Sequence, residues 1–216
     1  ASQFIHITLP DGTRKQVPAG CTVREALTPE GGRLDAKVLA AKINGEPMDL
    51  SRPLEQDATI EPLTFESAEG REVYRHSSTH IMAQAVKEVF PTAQLTIGPA
   101  LDDGFYYDFA FDRPFTPEDL EKIEARAIEI MKRGLTVTRS ELSKQDAIKF
   151  FQERGEGYKV ELINSFDDAS PISLYRQGEF VDLCRGPHLP TTGYVGAFKL
   201  LSTGGAYWRG DERNPM

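Results

Sequence analysis

The chain has 216 residues, 39% hydrophobic and 27% charged, an ordinary balance for a globular protein long enough to bury one or two cores. No apolar run approaches a membrane span, the first residues lack a signal-peptide pattern, and two cysteines, Cys21 and Cys184, are too few for a disulfide framework. A reducing, cytoplasmic location is therefore expected. The net charge of −8 argues against indiscriminate nucleic-acid binding but leaves room for a specific RNA contact through a local basic patch.

The first elements predict a small α+β domain. Ile5, Ile7 and Leu9 alternate with polar residues, the period of a half-buried strand, and Asp11-Gly12 turns the chain back into a strand closed by Val17. Thr22-Val23-Arg24-Glu25 is a capping box opening a short helix through Ala26 and Leu27. Val38 to Ile43, the turn Asn44-Gly45 and a strand around Met48 to Leu50 predict a second hairpin, and Ala58 to Leu63 a last strand. Hairpin, helix, hairpin, strand resembles the ubiquitin-like β-grasp of TGS domains. Ser67-Ala68-Glu69-Gly70 then reads as a linker.

The second part predicts a larger mixed domain. Tyr74 to Phe90 is helical, with Ile81, Met82, Ala85, Val86 and Val89 as its apolar stripe and Pro91 as its end. Thr116 caps a second helix with Pro117 in its first turn and Gly134 at its end. Ser143 with Asp146 opens a third helix containing Phe150 and Phe151. Strands are expected at Gly104 to Phe109, Leu135 to Thr138, Tyr158 to Ile163 and Glu179 to Cys184. The boundaries expected are 1–63 for the β-grasp domain, 64–70 for the linker and 71–216 for the larger domain.

Chemistry concentrates in two pairs. His76-x-x-x-His80 and Cys184-x-x-x-His188 use three of the four histidines and one of the two cysteines. His76 and His80 share a helix face. Ser77 follows the first histidine, so the glutamate base of a zinc peptidase is missing. Gly186 and Pro187 make the second pair a loop. Before that loop, Phe180, Asp182 and Cys184 alternate with Val181 and Leu183. If the two aliphatics enter a core, Asp182 and Cys184 project together into a cleft. The four ligands could bind zinc tetrahedrally, a histidine could be the general base for water, or Cys184 could be a nucleophile. Spacing alone leaves the three open.

Longer motifs surround these pairs. Ile97-Gly98-Pro99 with Asp102 to Asp108, Gly155 to Val160, Val181 to His188, Phe198-Lys199-Leu200 and Gly204 to Asp211 closely resemble the editing domain of bacterial-type threonyl-tRNA synthetases. With the β-grasp domain, the resemblance covers essentially the whole chain. It implies hydrolysis of the ester of mischarged seryl-tRNA for threonine. The same resemblance implies a site of His76, His80, Tyr107, Lys159, Asp182, Cys184 and His188. In it His76 and His188 position water and move protons. Lys159 stabilises negative charge or orients the tRNA 3′ end, Asp182 holds the substrate amino group, and Tyr175 lines the nucleotide pocket.

Alanyl-type editing domains use a similar four-residue set for zinc, whereas the threonyl-like surroundings here favour a metal-free cleft. A Lys159 ammonium in the same cleft would oppose a dication. The family's ATP, magnesium and catalytic zinc belong to a class II core whose ATP-binding strands and arginine motifs this sequence lacks, so a fragment of a longer synthetase is expected, or else a freestanding editing protein. The resemblance implies a homodimer for a full-length enzyme, a monomer for this segment, the acceptor end of threonine tRNA carrying serine as partner, and no membrane. The alternatives are a zinc-dependent alanyl-type hydrolase and a non-catalytic module that docks the acceptor arm.

Overall fold

A computed structural model describes residues 3–96, 104–197 and 199–201. The fold class is α+β, and the chain divides into two compact units, one running to His76 and taking in Gly186–Pro190, the other built from Ser77–Arg185 and the residues from Thr191.

The first unit is the expected β-grasp. Strands β1 (Phe4–Thr8), β2 (Arg14–Pro18), β3 (Ala40–Ile43), β4 (Glu46–Met48) and β5 (Ala58–Leu63) form one sheet in the order β2-β1-β5-β3-β4. β1 and β5 are parallel and the other pairs antiparallel. Asn44 and Gly45 both take positive φ, 52° and 86°, as a two-residue hairpin turn requires. Helix α1 (Val23–Leu27) starts where expected. Thr22 Oγ1 accepts from Glu25 N at 3.1 Å, while Glu25 returns to the Thr22 hydroxyl instead of its backbone. The Val23 and Arg24 amides donate to Arg52 and Leu50 carbonyls, so the segment read as a strand to Leu50 ends at Met48 and serves the helix start. Ile5, Ile7, Val17, Val23, Ala41 and Ile60 fill the core.

Helix α2 (Ala68–Val89) begins inside the segment expected to be a linker. Ser67 Oγ accepts from Gly70 N at 3.1 Å, the bond an N-cap makes to the third helical residue. Gly70 is required there: an added Cβ would lie 1.8 Å from the Thr64 carbonyl oxygen. None of the described helices is long and apolar enough to cross a membrane.

In the second unit, β8 (Val137–Leu142), β9 (Ile172–Gln177) and β10 (Phe180–Leu183) form an antiparallel sheet with β9 in the middle. A short ribbon pairs β6 (Gln94–Leu95) with β7 (Phe109–Ala110). Helix α3 (Pro117–Arg133) carries a full capping box between Thr116 and Asp119 and ends at Gly134 in the left-handed region. Helices α4 (Lys144–Glu153) and α5 (Gly157–Asn164) pack Ala147, Phe151 and Ile163 against Ile172, Leu174 and Val181 of the sheet. A 3₁₀ turn follows at Thr192–Tyr194.

Three strand expectations change. Tyr158 to Ile163 is helix α5, because Lys159 and Ile163, four apart, are the buried pair; Tyr158, Val160 and Leu162 only mimic a strand period. Between Gly104 and Phe109 the chain makes one isolated bridge at Phe105 before β7. The strand placed at Leu135 to Thr138 is β8, two residues further on, and β9 was not anticipated.

Gly70→Ala should destabilise the chain by about 2 kcal/mol through overpacking at the α2 start. Denaturant unfolding followed by circular dichroism reads this directly. A variant as stable as wild type would show that the Thr64 carbonyl does not sit against Gly70.

Candidate active site

The second unit holds a closed polar network in its interior. Asp182 on β10 is 1% exposed and Lys159 on α5 is 3% exposed, with Lys159 Nζ 2.6 Å from Asp182 Oδ1. Helix α5 delivers the lysine because Ile163, one turn on, is anchored under β9 and β10. Strand β10 delivers the aspartate because Val181 and Leu183 pack into the opposite core, as their alternation predicts. Lys159 also donates to Thr96 O at 2.8 Å and to Tyr107 Oη at 2.9 Å, so all three of its N–H bonds are committed. The Tyr107 hydroxyl donates to Asp182 Oδ2 at 2.9 Å, and Asp182 Oδ1 accepts from Leu183 N at 2.7 Å.

Buried His80 stands with Nε2 3.5 Å from Asp182 Oδ2. The carboxylate favours the proton on Nε2, which makes Nδ1 the basic nitrogen. Tyr175 and Phe180 stand edge-on to the ring, with centroids at 6.5 and 6.1 Å. Burial first, and then the Asp182 charge, push the Tyr107 phenol well above its ordinary value, so it stays a hydrogen-bond donor.

This geometry bears on two of the expected roles. Asp182 was expected to hold a substrate amino group, but its oxygens already serve Lys159, Leu183 N and Tyr107, and face His80. Lys159, expected to stabilise negative charge or to orient the tRNA 3′ end, has its ammonium bonded within the network. Both residues orient their neighbours. Tyr175, expected to line a nucleotide pocket, is instead a core residue, 2% exposed.

Cys184 is half-buried at the end of β10, its amide donating to Ser173 O and its carbonyl accepting from the Ser173 hydroxyl. In the first unit, His76 is half-exposed, 3.6 Å from Glu72, and its ring stands edge-on to that of His188 at 6.2 Å. His188 is buried, and its amide donates to the buried Asp49 carboxylate at 2.7 Å. His76 and His188 belong to the first unit, His80 and Cys184 to the second. A carboxylate beside a ligating imidazole is a frequent arrangement, and His80 Nε2 lies 3.5 Å from Asp182 Oδ2. The objection that Lys159 would repel a dication weakens, since its charge is paired.

Sequence reasoning missed Thr96, Asp49 and Glu156 as contributors. Glu156 lay inside a quoted motif, three residues before Lys159, and helical spacing would have grouped them had α5 been read as a helix. The motif residues 97–103, Phe198 and Gly204 to Asp211 lie outside the described residues.

Lys159→Met leaves the Asp182 carboxylate buried without its cation and should cost about 3–5 kcal/mol, while adding Asp182→Leu should recover most of that loss. Denaturant unfolding of both variants tests it. Equal stabilities for the single variant and wild type would show the pair to be solvated.

Comparison with known proteins agrees with these observations. Residues 5–64 match the TGS domain, and residues 172–216 match the threonyl and alanyl tRNA synthetase second additional domain. The chain is 54% identical over 213 residues to a threonine–tRNA ligase of Symbiobacterium thermophilum, covering 99% of this chain and 33% of that protein. It is 53% identical over 212 residues to the threonine–tRNA ligase of Citrifermentans bemidjiense, with 98% and 33% covered. Against that of Acidithiobacillus ferrooxidans it is 54% identical over 213 residues, with 97% and 33% covered. The chain spans about a third of the length of the curated relatives it matches. Along nearly all its residues the chain is therefore similar to threonine–tRNA ligases, with a TGS domain followed by the threonyl and alanyl tRNA synthetase second additional domain.

Proposed function

We propose that this chain is the proofreading part of a threonyl-tRNA synthetase, hydrolysing the ester that joins serine to the end of threonine tRNA. The observation that carries the reading is the buried Lys159–Asp182 pair, which fixes Tyr107 and His80. The need for a second site is energetic. Serine lacks one methyl group of threonine, and such a difference is worth only about 1–3 kcal/mol of discrimination.

In this reading water attacks the ester carbonyl, an imidazole takes its proton, and the ribose hydroxyl leaves as the proton returns to it. His76 and His188 carry those proton transfers, as the family resemblance implies. His80 is a positioned imidazole, turned by Asp182, which Lys159 and Tyr107 hold in place. Cys184 shapes the cleft without forming a thioester.

Purified chain should hydrolyse seryl-tRNA and spare threonyl-tRNA. His76→Ala should slow the reaction by about 10²-fold, the scale of a lost proton-transfer group. Wild-type rates in a folded His76→Ala protein would remove that role, and acceptor-arm binding with no hydrolysis by wild type would make the chain a docking module.

A zinc-dependent reaction is the second reading, favoured by the carboxylate behind His80. Zinc held there would supply Lewis-acid activation of water. We propose the metal-free route, so chelator-treated protein keeps its activity and metal analysis finds well under one zinc per chain. Activity lost on chelation and restored by zinc alone would establish the other.

A further inference from the structure

Glu156 has no part in the reactions above, yet it is only 5% exposed and its Oε2 has no hydrogen-bond partner. It occupies the N-cap position of α5 and makes no side-chain capping bond there. Three residues on, on the neighbouring part of the same helix face, is Lys159. That ammonium has no hydrogen left to offer, since Thr96, Tyr107 and Asp182 take all three. An ionised Glu156 would therefore carry charge on a buried oxygen, Oε2, that no hydrogen bond compensates, a costly state.

We propose that Glu156 is a positioning residue of the editing site: as the neutral acid it leaves Lys159 wholly committed to Asp182 and Tyr107, and on ionising it draws Lys159 away from them. The site itself is the one assigned under the proposed function, and the inference rests on that reading.

The charges around Glu156 support this. Burial is the largest influence and raises its pKa, and Asp182 from β10 raises it further. Lys159 on its own helix, Lys87 from α2 and Arg154 from the turn before α5 oppose the shift without reversing it. For a carboxyl raised above its ordinary value of 4.5, the folded state holds the proton longer than the unfolded chain. The stabilisation is fully present below that value and is lost as pH rises through the folded one. An ionised Glu156 would also be a second carboxylate competing with Asp182 for one ammonium.

The test compares wild type with E156Q across pH on the whole chain. Difference infrared spectra should show a protonated carboxyl band in wild type that persists above the pH where an ordinary glutamate has ionised, and that E156Q lacks. The side-chain ¹⁵N resonance of Lys159 should weaken in wild type as that band disappears and stay unchanged in E156Q. With seryl-tRNA, kcat should fall along the same limb in wild type, and E156Q should lack that limb, with KM little affected. If E156Q does not fold, E156M takes its place. A band absent above the ordinary glutamate range, or a Lys159 resonance with the same pH dependence in both proteins, overturns the proposal. Hydrolysis absent from both proteins would sink the editing function, while the two spectroscopic readings still decide the state of Glu156.

Discussion

The contact on which the second unit depends is the one between Lys159 and Asp182, 2.6 Å apart and almost wholly out of solvent. Taking two charges from water costs several kcal/mol per ion, and their attraction repays it only when the remaining donors and acceptors are also satisfied. That requirement explains the company the pair keeps. Thr96 contributes a carbonyl, Tyr107 a hydroxyl that accepts from the lysine and donates to the aspartate, and Leu183 a backbone amide. An apolar pair of the same volume would stabilise the fold as well or better. What the ions supply is orientation, because each hydrogen bond fixes a direction as well as a distance. His80 inherits that direction through its contact with Asp182.

The two histidines of α2 show how little a spacing says by itself. Four residues apart, they share a face of the helix, as the sequence predicts. Yet His76 is half-exposed beside Glu72, whereas His80 is buried against Asp182 and two aromatic rings. A helix face does not have one environment along its length.

The legible parts of the sequence were those where local physics decides the structure. The Asn44-Gly45 turn, the Thr116 cap and the Gly134 stop need only their own neighbours, and all three appear where expected. So does the alternation that puts Asp182 and Cys184 opposite Val181 and Leu183. Helix α5 was misread because its buried positions are a lysine and an isoleucine. A lysine counts as polar in any pattern, and the aspartate that makes its burial possible lies two strands later in the chain. Strand β9 escaped for a related reason. As the middle strand of its sheet it buries residues on both faces, Ile172 and Leu174 on one and Tyr175 and Gln177 on the other, so it has no clean two-residue rhythm. Reading Lys159 and Asp182 one at a time misses that each is the other's partner.

The hairpin of β9 and β10 closes through Gly178, at φ 61°, and sets Asp182 opposite Tyr175 and Val181 opposite Arg176. Side chains on a strand alternate, so the hairpin has a parity as well as a length. Slipping β10 by one residue would turn Asp182 toward Phe151 and Ile163 and bring Val181 or Leu183 to Lys159. The loop between these strands is therefore a place where residues can be exchanged but not counted differently: a single insertion or deletion there would exchange the polar face for the apolar one without altering any side chain of the network.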